Sequence, residues 1–167
     1  ETYSENHNSR LPDSSDDANA IFQISVVTGN IGEASSKTIY LYTLFDPQDI
    51  DENDKQDLGI DCPVFFLRYK TEKELISAFA KAIIKEDPDV FIGYNILKFD
   101  WEYLIVRAKK HGVFSKFMKT SRVSNTPASQ KEIKWSSSAY KDQTYSYLDV
   151  PGRLQMDVML EVERNYK

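Results

Sequence analysis

The stretch Asp87–Tyr103, DPDVFIGYNILKFDWEY, constrains the fold more than any other part of this chain. Asp87-Pro88 is a breaker pair, because the proline ring biases the residue before it away from helix. Val90-Phe91-Ile92 follows as a short apolar run that ends at Gly93-Tyr94. The run predicts a strand over Asp89–Tyr94, nearly all apolar, as a strand buried on both faces should be. Asn95, Phe99 and Asp100 then lead into a helical pattern with Asp100 at its start. There Tyr103, Leu104, Arg107, Ala108 and His111 lie on neighbouring faces and Gly112 supplies the stop. A buried strand thus delivers an amide and a carboxylate to its C-terminal edge, which is where open α/β sheets bind ligands.

The rest of the chain arranges itself around that stretch. Residues 1–20 are polar loop, and the absence of an initiator Met suggests a piece cut from something larger. Ile21–Val27 is β-branched and predicts a strand, 28–32 a turn, and Lys37–Phe45 a second strand paired with the first. Residues 46–61 hold seven acids and read as a solvated loop; Cys62–Tyr69 predicts a third strand with Pro63 at its start. Thr71 and Glu74 form a capping box before an apolar stripe of Leu75, Ile76, Phe79, Ala80, Ile83 and Ile84, which predicts a helix. Beyond Gly112, residues 113–129 are basic and Ser/Thr-rich. Residues 132–150 alternate loosely around Ser136-Ser137-Ser138 and predict a β-hairpin with a polar tip. Pro151-Gly152 turns the chain, Leu154–Val158 reads as a short strand, and a helix starts at Met159. Three strands, a helix, a buried strand, a helix and a hairpin predict one α/β domain: a mixed sheet with an antiparallel portion and helices on its faces.

Charge is unevenly spread. Residues 1–61 hold 13 acids against 3 Lys/Arg, whereas residues 107–141 hold 9 Lys/Arg and a single acid, Glu132. Such asymmetry suits one surface that meets a polyanion; a solvated lysine-rich face explains it equally well. The lone cysteine, Cys62, forbids an internal disulfide, and no apolar run approaches the roughly 20 residues that span a bilayer. The polar, acidic N-terminus is no signal peptide, so a reducing compartment, cytosol or nucleus, is expected.

Few residues offer other chemistry. His7 lies in a polar loop, His111 at a helix end that favours a cation, and Cys62 opens an apolar strand. The six glycines never form a phosphate-binding loop. Carboxylates remain. Asp100 by itself reads as a first-turn acid complementing the helix dipole, and Asn95 by itself as a side chain closing a turn. Together with Phe99, across one strand–helix junction, they put a carboxylate, an amide and a ring into one cleft. That set suits Mg²⁺ beside a nucleic-acid end, the oxygen holding the hard cation and the ring stacking on a base.

These residues carry a resemblance. Tyr94-Asn95-Ile96-Leu97-Lys98-Phe99-Asp100, followed by Tyr103-Leu104 and Arg107-Ala108, resembles the second exonuclease motif of family-B DNA polymerases, YNxxxFDxxYLxxRA. Lys70-Thr71-Glu72, Glu74-Leu75 and Asp87-Pro88-Asp89-Val90 are similar to the family's approach to that motif. Gly152-Arg153-Leu154-Gln155-Met156-Asp157 resembles the strand after its β-hairpin insert, and Glu1-Thr2 the tail of the first motif, D-I-E-T. The flavour is that of eukaryotic delta-type polymerases or those of large DNA viruses.

The resemblance implies an RNase H-like fold with an inserted β-hairpin at about residues 130–150 and a proofreading 3′→5′ exonuclease. It implies two divalent metals, Mg²⁺ or Mn²⁺, about 4 Å apart, hydrolysing the primer 3′ end. Glu1 and Asp100 would be metal ligands and catalytic acids; Thr2, Asn95 and Phe99 would line the single-stranded primer end. Lys131, Lys134, Trp135 and Lys141 of the hairpin would touch DNA, unless the hairpin is simply exposed with incidental lysines. Partners would be primer–template DNA and the remaining polymerase domains, with no membrane, in the nucleus or at a cytoplasmic viral replication site. The first-motif aspartate would precede Glu1 and the Tyr-x-x-x-Asp motif would follow Lys167, so the piece alone is expected to be inactive. Asp157 is a tempting substitute ligand, although in the family pattern it belongs to a structural strand. A free-standing exonuclease of the same acidic (DEDD) class and an inactive nucleic-acid-binding module are the alternatives.

Overall fold

The computed structural model describes residues 11–46, 60–135 and 143–165. It forms two compact units, the first reaching to Phe79 and the second starting at Ala80.

In the first unit, β1 (Gln23–Asn30) pairs antiparallel with β2 (Glu33–Thr43), with Val26 opposite Tyr40. β3 (Val64–Arg68) runs parallel to β2, with Leu41 opposite Phe66. Helix α1 (Glu72–Glu86) starts where the capping box predicts: the Glu74 N–H donates to Thr71 Oγ1 at 3.2 Å. The reciprocal bond comes from Lys70, whose N–H donates to Glu74 Oε2 at 3.0 Å. Leu75 and Ile76 on the predicted stripe are fully buried. Tyr42 is also buried, its ring stacked on Tyr69 and edge-on to Phe79. Glu72 is buried as well, and its Oε1 accepts the Ile21 N–H at 2.8 Å.

In the second unit, β4 (Val90–Gly93) runs parallel to β7 (Leu154–Asp157), with Ile92 opposite Met156. Between them lie a π-helical turn (Ile96–Asp100), α2 (Trp101–Lys110) and α3 (Phe114–Met118). β5 (Ser129–Trp135) and β6 (Gln143–Asp149) follow as an antiparallel pair, with Glu132 opposite Ser146. Helix α4 (Val158–Asn165) comes after β7. Helix α2 packs against β6 and buries Trp101, Tyr103, Leu104, Ile105, Arg107 and Ala108. Gly112 ends it in the left-handed region at φ 66°, where the Val113 N–H reaches Ala108 O at 2.8 Å and the Gly112 N–H reaches Lys109 O at 3.0 Å. That is a Schellman closure, satisfying carbonyls the helix would otherwise leave open.

Two expectations need correcting. Instead of one mixed sheet, the described residues form three, β1-β2-β3, β4-β7 and β5-β6. Sequence period reports which face of a strand is buried, whereas strand neighbours are chosen by non-local main-chain bonds that leave no period. Nor is β4 buried on both faces. Phe91 turns inward, its ring edge-on to Trp101 at 5.5 Å, but Ile92 is 61% exposed. Alternation across the pleat puts Ile92 and, across the pairing, Met156 on the outer face. The architecture is a mixed α/β one of small sheets and helices, and no helix among the described residues is long and apolar enough to cross a membrane.

Candidate active site

The entry to β4 is held by two arginines. Arg122 Nε donates to Asp87 Oδ1 at 2.8 Å, and its other nitrogens reach Asp89 Oδ1 and the Asp87 carbonyl. Arg153, at the head of β7, donates to Asp87 Oδ1 at 2.8 Å, to Pro88 O at 2.6 Å and to Thr120 O at 3.0 Å. Asp87 sits at φ 48°, so the bracket fixes a conformation that a non-glycine residue rarely adopts. The Arg122 guanidinium, with Arg153 beside it, holds the Asp87 carboxyl below its ordinary range.

At the other end of β4 the chain turns sharply. A Cβ on Gly93 would lie 2.2 Å from Ile96 Cγ2, so only glycine fits as the chain folds back. Asn95 follows in the left-handed region (φ 61°, ψ 23°), which Asn tolerates better than most residues. The π turn begins there: the Phe99 N–H reaches Asn95 O at 3.0 Å, and the Trp101 N–H closes back to Ile96 O. Such turns are rare and gather at functional sites, because one extra residue re-aims the side chains around it.

Asp157, at the C-terminal end of β7, holds this turn. Its carboxylate accepts the N–H of Asn95 at 2.8 Å and of Leu97 at 3.1 Å, and that of Met159 at 3.1 Å. With both oxygens committed to main-chain donors and only 5% of its surface exposed, Asp157 is built as a structural acceptor rather than an open metal ligand.

Three of the predicted site residues meet here. Asp100 ends the π turn, exposed and making no capping bond to α2. Protein atoms crowded around its carboxyl push it above the ordinary carboxylate range, and the Asp157 charge pushes the same way. Phe99 is half-buried, its ring 5.6 Å from that of the buried Tyr103. Asn95 Oδ1 is buried without a hydrogen-bond partner, as are Trp101 Nε1 and Gln155 Oε1 on neighbouring elements. An unpaired buried polar atom costs about 1–3 kcal/mol and calls for an explanation, a bound ligand being one. Among the described residues no group of three or more His, Cys, Asp or Glu could hold a metal; the open oxygen donor at this junction is Asp100.

Glu1, Thr2 and Lys141 lie outside the described residues. Lys131 and Lys134 sit on β5, remote in sequence from the junction; of Trp135 the described part is its main-chain pairing with Gln143. Lys131 Nζ pairs with Asp149 at 2.5 Å, and that carboxylate raises the lysine above its ordinary range. Lys109 lies over the Phe114 ring and bonds Gln130, Arg107 is buried and Arg122 is tied to β4. The basic stretch therefore presents less free charge than its composition suggests. Lys134 is exposed.

The roles of Arg153 and Arg122 were not read from the sequence, and for Asp157 the family pattern implied a structural strand but not what the carboxylate holds. Period 2 offered a partial signal: Gln155 and Asp157 lie on the inner face of β7, in phase with Arg153 just before it, while Leu154 and Met156 point outward.

Comparison with known proteins places the chain in a family. Residues 1–167 match the family described as DNA polymerase family B, exonuclease domain. The chain is 34% identical over 158 residues to DNA polymerase 120R of Invertebrate iridescent virus 3, covering 94% of this chain and 13% of that protein. It is 34% identical over 167 residues to DNA polymerase 037L of Invertebrate iridescent virus 6, all of this chain and 13% of the viral protein. It is also 32% identical over 147 residues to the DNA polymerase delta catalytic subunit of Dictyostelium discoideum, 88% of this chain and 12% of that subunit. The chain thus spans a small fraction of the length of these relatives.

Proposed function

The chain belongs to the exonuclease domains of family-B DNA polymerases, and from that premise we propose that it is the proofreading 3′→5′ exonuclease portion of a DNA-directed DNA polymerase. The observation that carries this reading is the junction after β4. It gathers an exposed carboxylate, an amide with an unpaired oxygen and a ring at the C-terminal edge of a parallel strand pair.

In this reading the fold is RNase H-like, the whole chain is one exonuclease domain, and the β5–β6 pair is its inserted hairpin. The single-stranded primer 3′ end lies across the junction. Asn95 offers its carboxamide to the nucleotide, Thr2 lines the same end, and Phe99, steadied by Tyr103, offers a ring to the terminal base. Asp100, joined by Glu1, would hold divalent cations; a carboxylate crowded above its ordinary range is stabilised in its charged form by a cation beside it. Two such ions supply Lewis-acid polarisation of the scissile phosphate and a lowered pKa for the attacking water. Lys134, Trp135 and Lys141 reach toward DNA from the hairpin, and Lys131 does so by exchanging Asp149 for a phosphate. Primer–template DNA and the other polymerase domains are the partners, at a nuclear or viral replication site.

The test is trimming of single-stranded DNA by the polymerase that carries this chain. Asp100→Ala should slow Mg²⁺-dependent 3′→5′ trimming about a hundredfold or more while leaving nucleotide incorporation intact. Trimming at the wild-type rate in that variant would overturn the assignment.

A further inference from the structure

We propose that Asp157 is a positioning residue: by capping the π turn from β7 it releases the Asn95 carboxamide from that task and keeps it available to the bound nucleic-acid end. The proposal rests on the exonuclease reading of the junction.

An asparagine at a helix N-cap ordinarily takes an extended conformation and accepts the N2 or N3 amide with its own side chain. Asn95 occupies the N-cap position of the π turn and does neither: it is left-handed and makes no side-chain cap bond. The N2 amide, that of Leu97, donates instead to Asp157 Oδ2 at 3.1 Å, and the N–H of Asn95 itself donates to Oδ1 at 2.8 Å. Hydrogen bonds to an ionised carboxylate are stronger than those to a neutral amide, so Asp157 wins the competition for Leu97. The third donor, the Met159 N–H, ties the same carboxylate to the first turn of α4 and fixes where it points. Asp157 also binds the left-handed conformation of Asn95, the conformation in which Asn95 does not cap itself. The consequence is the buried, unpartnered Asn95 Oδ1. Without Asp157, the turn relaxes to the ordinary arrangement: Asn95 caps Leu97, its amide is lost to the substrate, and Asp100 turns with the backbone.

The test uses the intact polymerase with Asn95→Gly, which removes the carboxamide but accepts the left-handed backbone, Asp157→Asn and the double variant. Asp157→Asn keeps the shape and one acceptor oxygen. In trimming of a single-stranded oligonucleotide, each single variant should raise KM, Asp157→Asn by about tenfold, with a smaller change in kcat. The double variant should be no worse in KM than the singles. Effects that multiply in the double variant, or an Asp157→Asn that lowers thermal stability alone, overturn the proposal. Amide exchange of the segment containing Leu97 reads the cap without any activity. It should be unchanged by Asn95→Gly, faster in Asp157→Asn, and fastest in the double variant, where neither residue caps. Faster exchange in Asn95→Gly alone, which keeps the left-handed backbone, overturns the proposal. A polymerase that does not trim, but whose exchange follows the stated order, sinks the exonuclease reading and keeps the capping assignment.

Discussion

Arg153 and Asp87 meet at 2.8 Å, a buried guanidinium just ahead of β7 against an exposed carboxylate just ahead of β4. This contact, with Arg122 on the same carboxylate, sets where the two parallel strands begin and therefore where their C-terminal ends present the junction. Arg153 also satisfies the carbonyls of Pro88 and Thr120. Arg153→Ala should therefore cost about 3 kcal/mol in urea unfolding, and Arg153→Lys should recover little, because an ammonium cannot fork to three acceptors. The Asp87 carboxyl is held below its ordinary range, so its contribution is present above about pH 4, the unfolded carboxylate range, and is lost as pH falls through the folded value. Thermal midpoints of wild type and Asp87→Asn should differ at neutral pH and converge in acid. A gap that persists in acid would show that charge is not what Asp87 contributes.

Asp100 has the opposite sign. Crowding raises its carboxyl, so the folded metal-free chain holds that proton more tightly than the unfolded chain does. Folding is then opposed progressively as pH rises from the unfolded range through the folded value, and fully at neutral pH. Asp100→Asn should raise the thermal midpoint of the metal-free protein at pH 7 and leave it unchanged in acid. Added Mg²⁺ should stabilise wild type more than the variant. Equal stabilisation of both by Mg²⁺ would place the cation elsewhere.

How much of this was legible depended on sequence distance. The start of α1 was, because Thr71 and Glu74 are three residues apart and their bond is local. So was the end of α2 at Gly112. The β1–β2 connection was nearly so; β1 runs on to Asn30, whose N–H is held by Ser36 Oγ at 2.7 Å, where the sequence suggested a turn from Thr28. Asn95, Phe99 and Asp100 lie within six residues, so their clustering at one strand–helix junction could be foreseen. The π turn between them, one residue looser than the helix expected, could not, because propensity does not distinguish the two. What holds the junction was also hidden: Asp157 meets Asn95 across 62 residues and Arg153 meets Pro88 across 65. Contacts at that separation leave no periodic trace, and an acidic residue at the end of a strand looks the same whether it binds metal or main chain.

The close approach at Gly93 gives a structural test of the turn. Gly93→Ala drives a methyl into Ile96 Cγ2, an atom near the base of its side chain that cannot swing away. The variant should lose about 1–3 kcal/mol and trim poorly, since the displaced residues lead directly into Asn95. Adding Ile96→Ala removes the opposing methyl and should restore part of both losses. No recovery in the double variant would mean that the strain lies in the backbone of residue 93 rather than in the contact.

Lys131 and Lys134 stand on the same strand, but Lys131 is ion-paired while Lys134 is exposed with no ion pair among the described residues. Lys131 is paired with Asp149, and a phosphate must displace that carboxylate before it gains the lysine. Lys134 is exposed, so on reaching a phosphate it displaces a cation condensed on the DNA. If this strand contacts DNA, Lys134→Ala should reduce the slope of log affinity against log salt by about 1, whereas Lys131→Ala should reduce it by less. Asp149→Asn should free Lys131 and steepen the slope; the same substitution in a Lys131→Ala background should have no such effect. Binding to primer–template DNA, followed by fluorescence anisotropy across a salt series, measures the four variants against wild type. Identical slopes throughout would remove β5 from the DNA interface and leave its lysines as a solvated face.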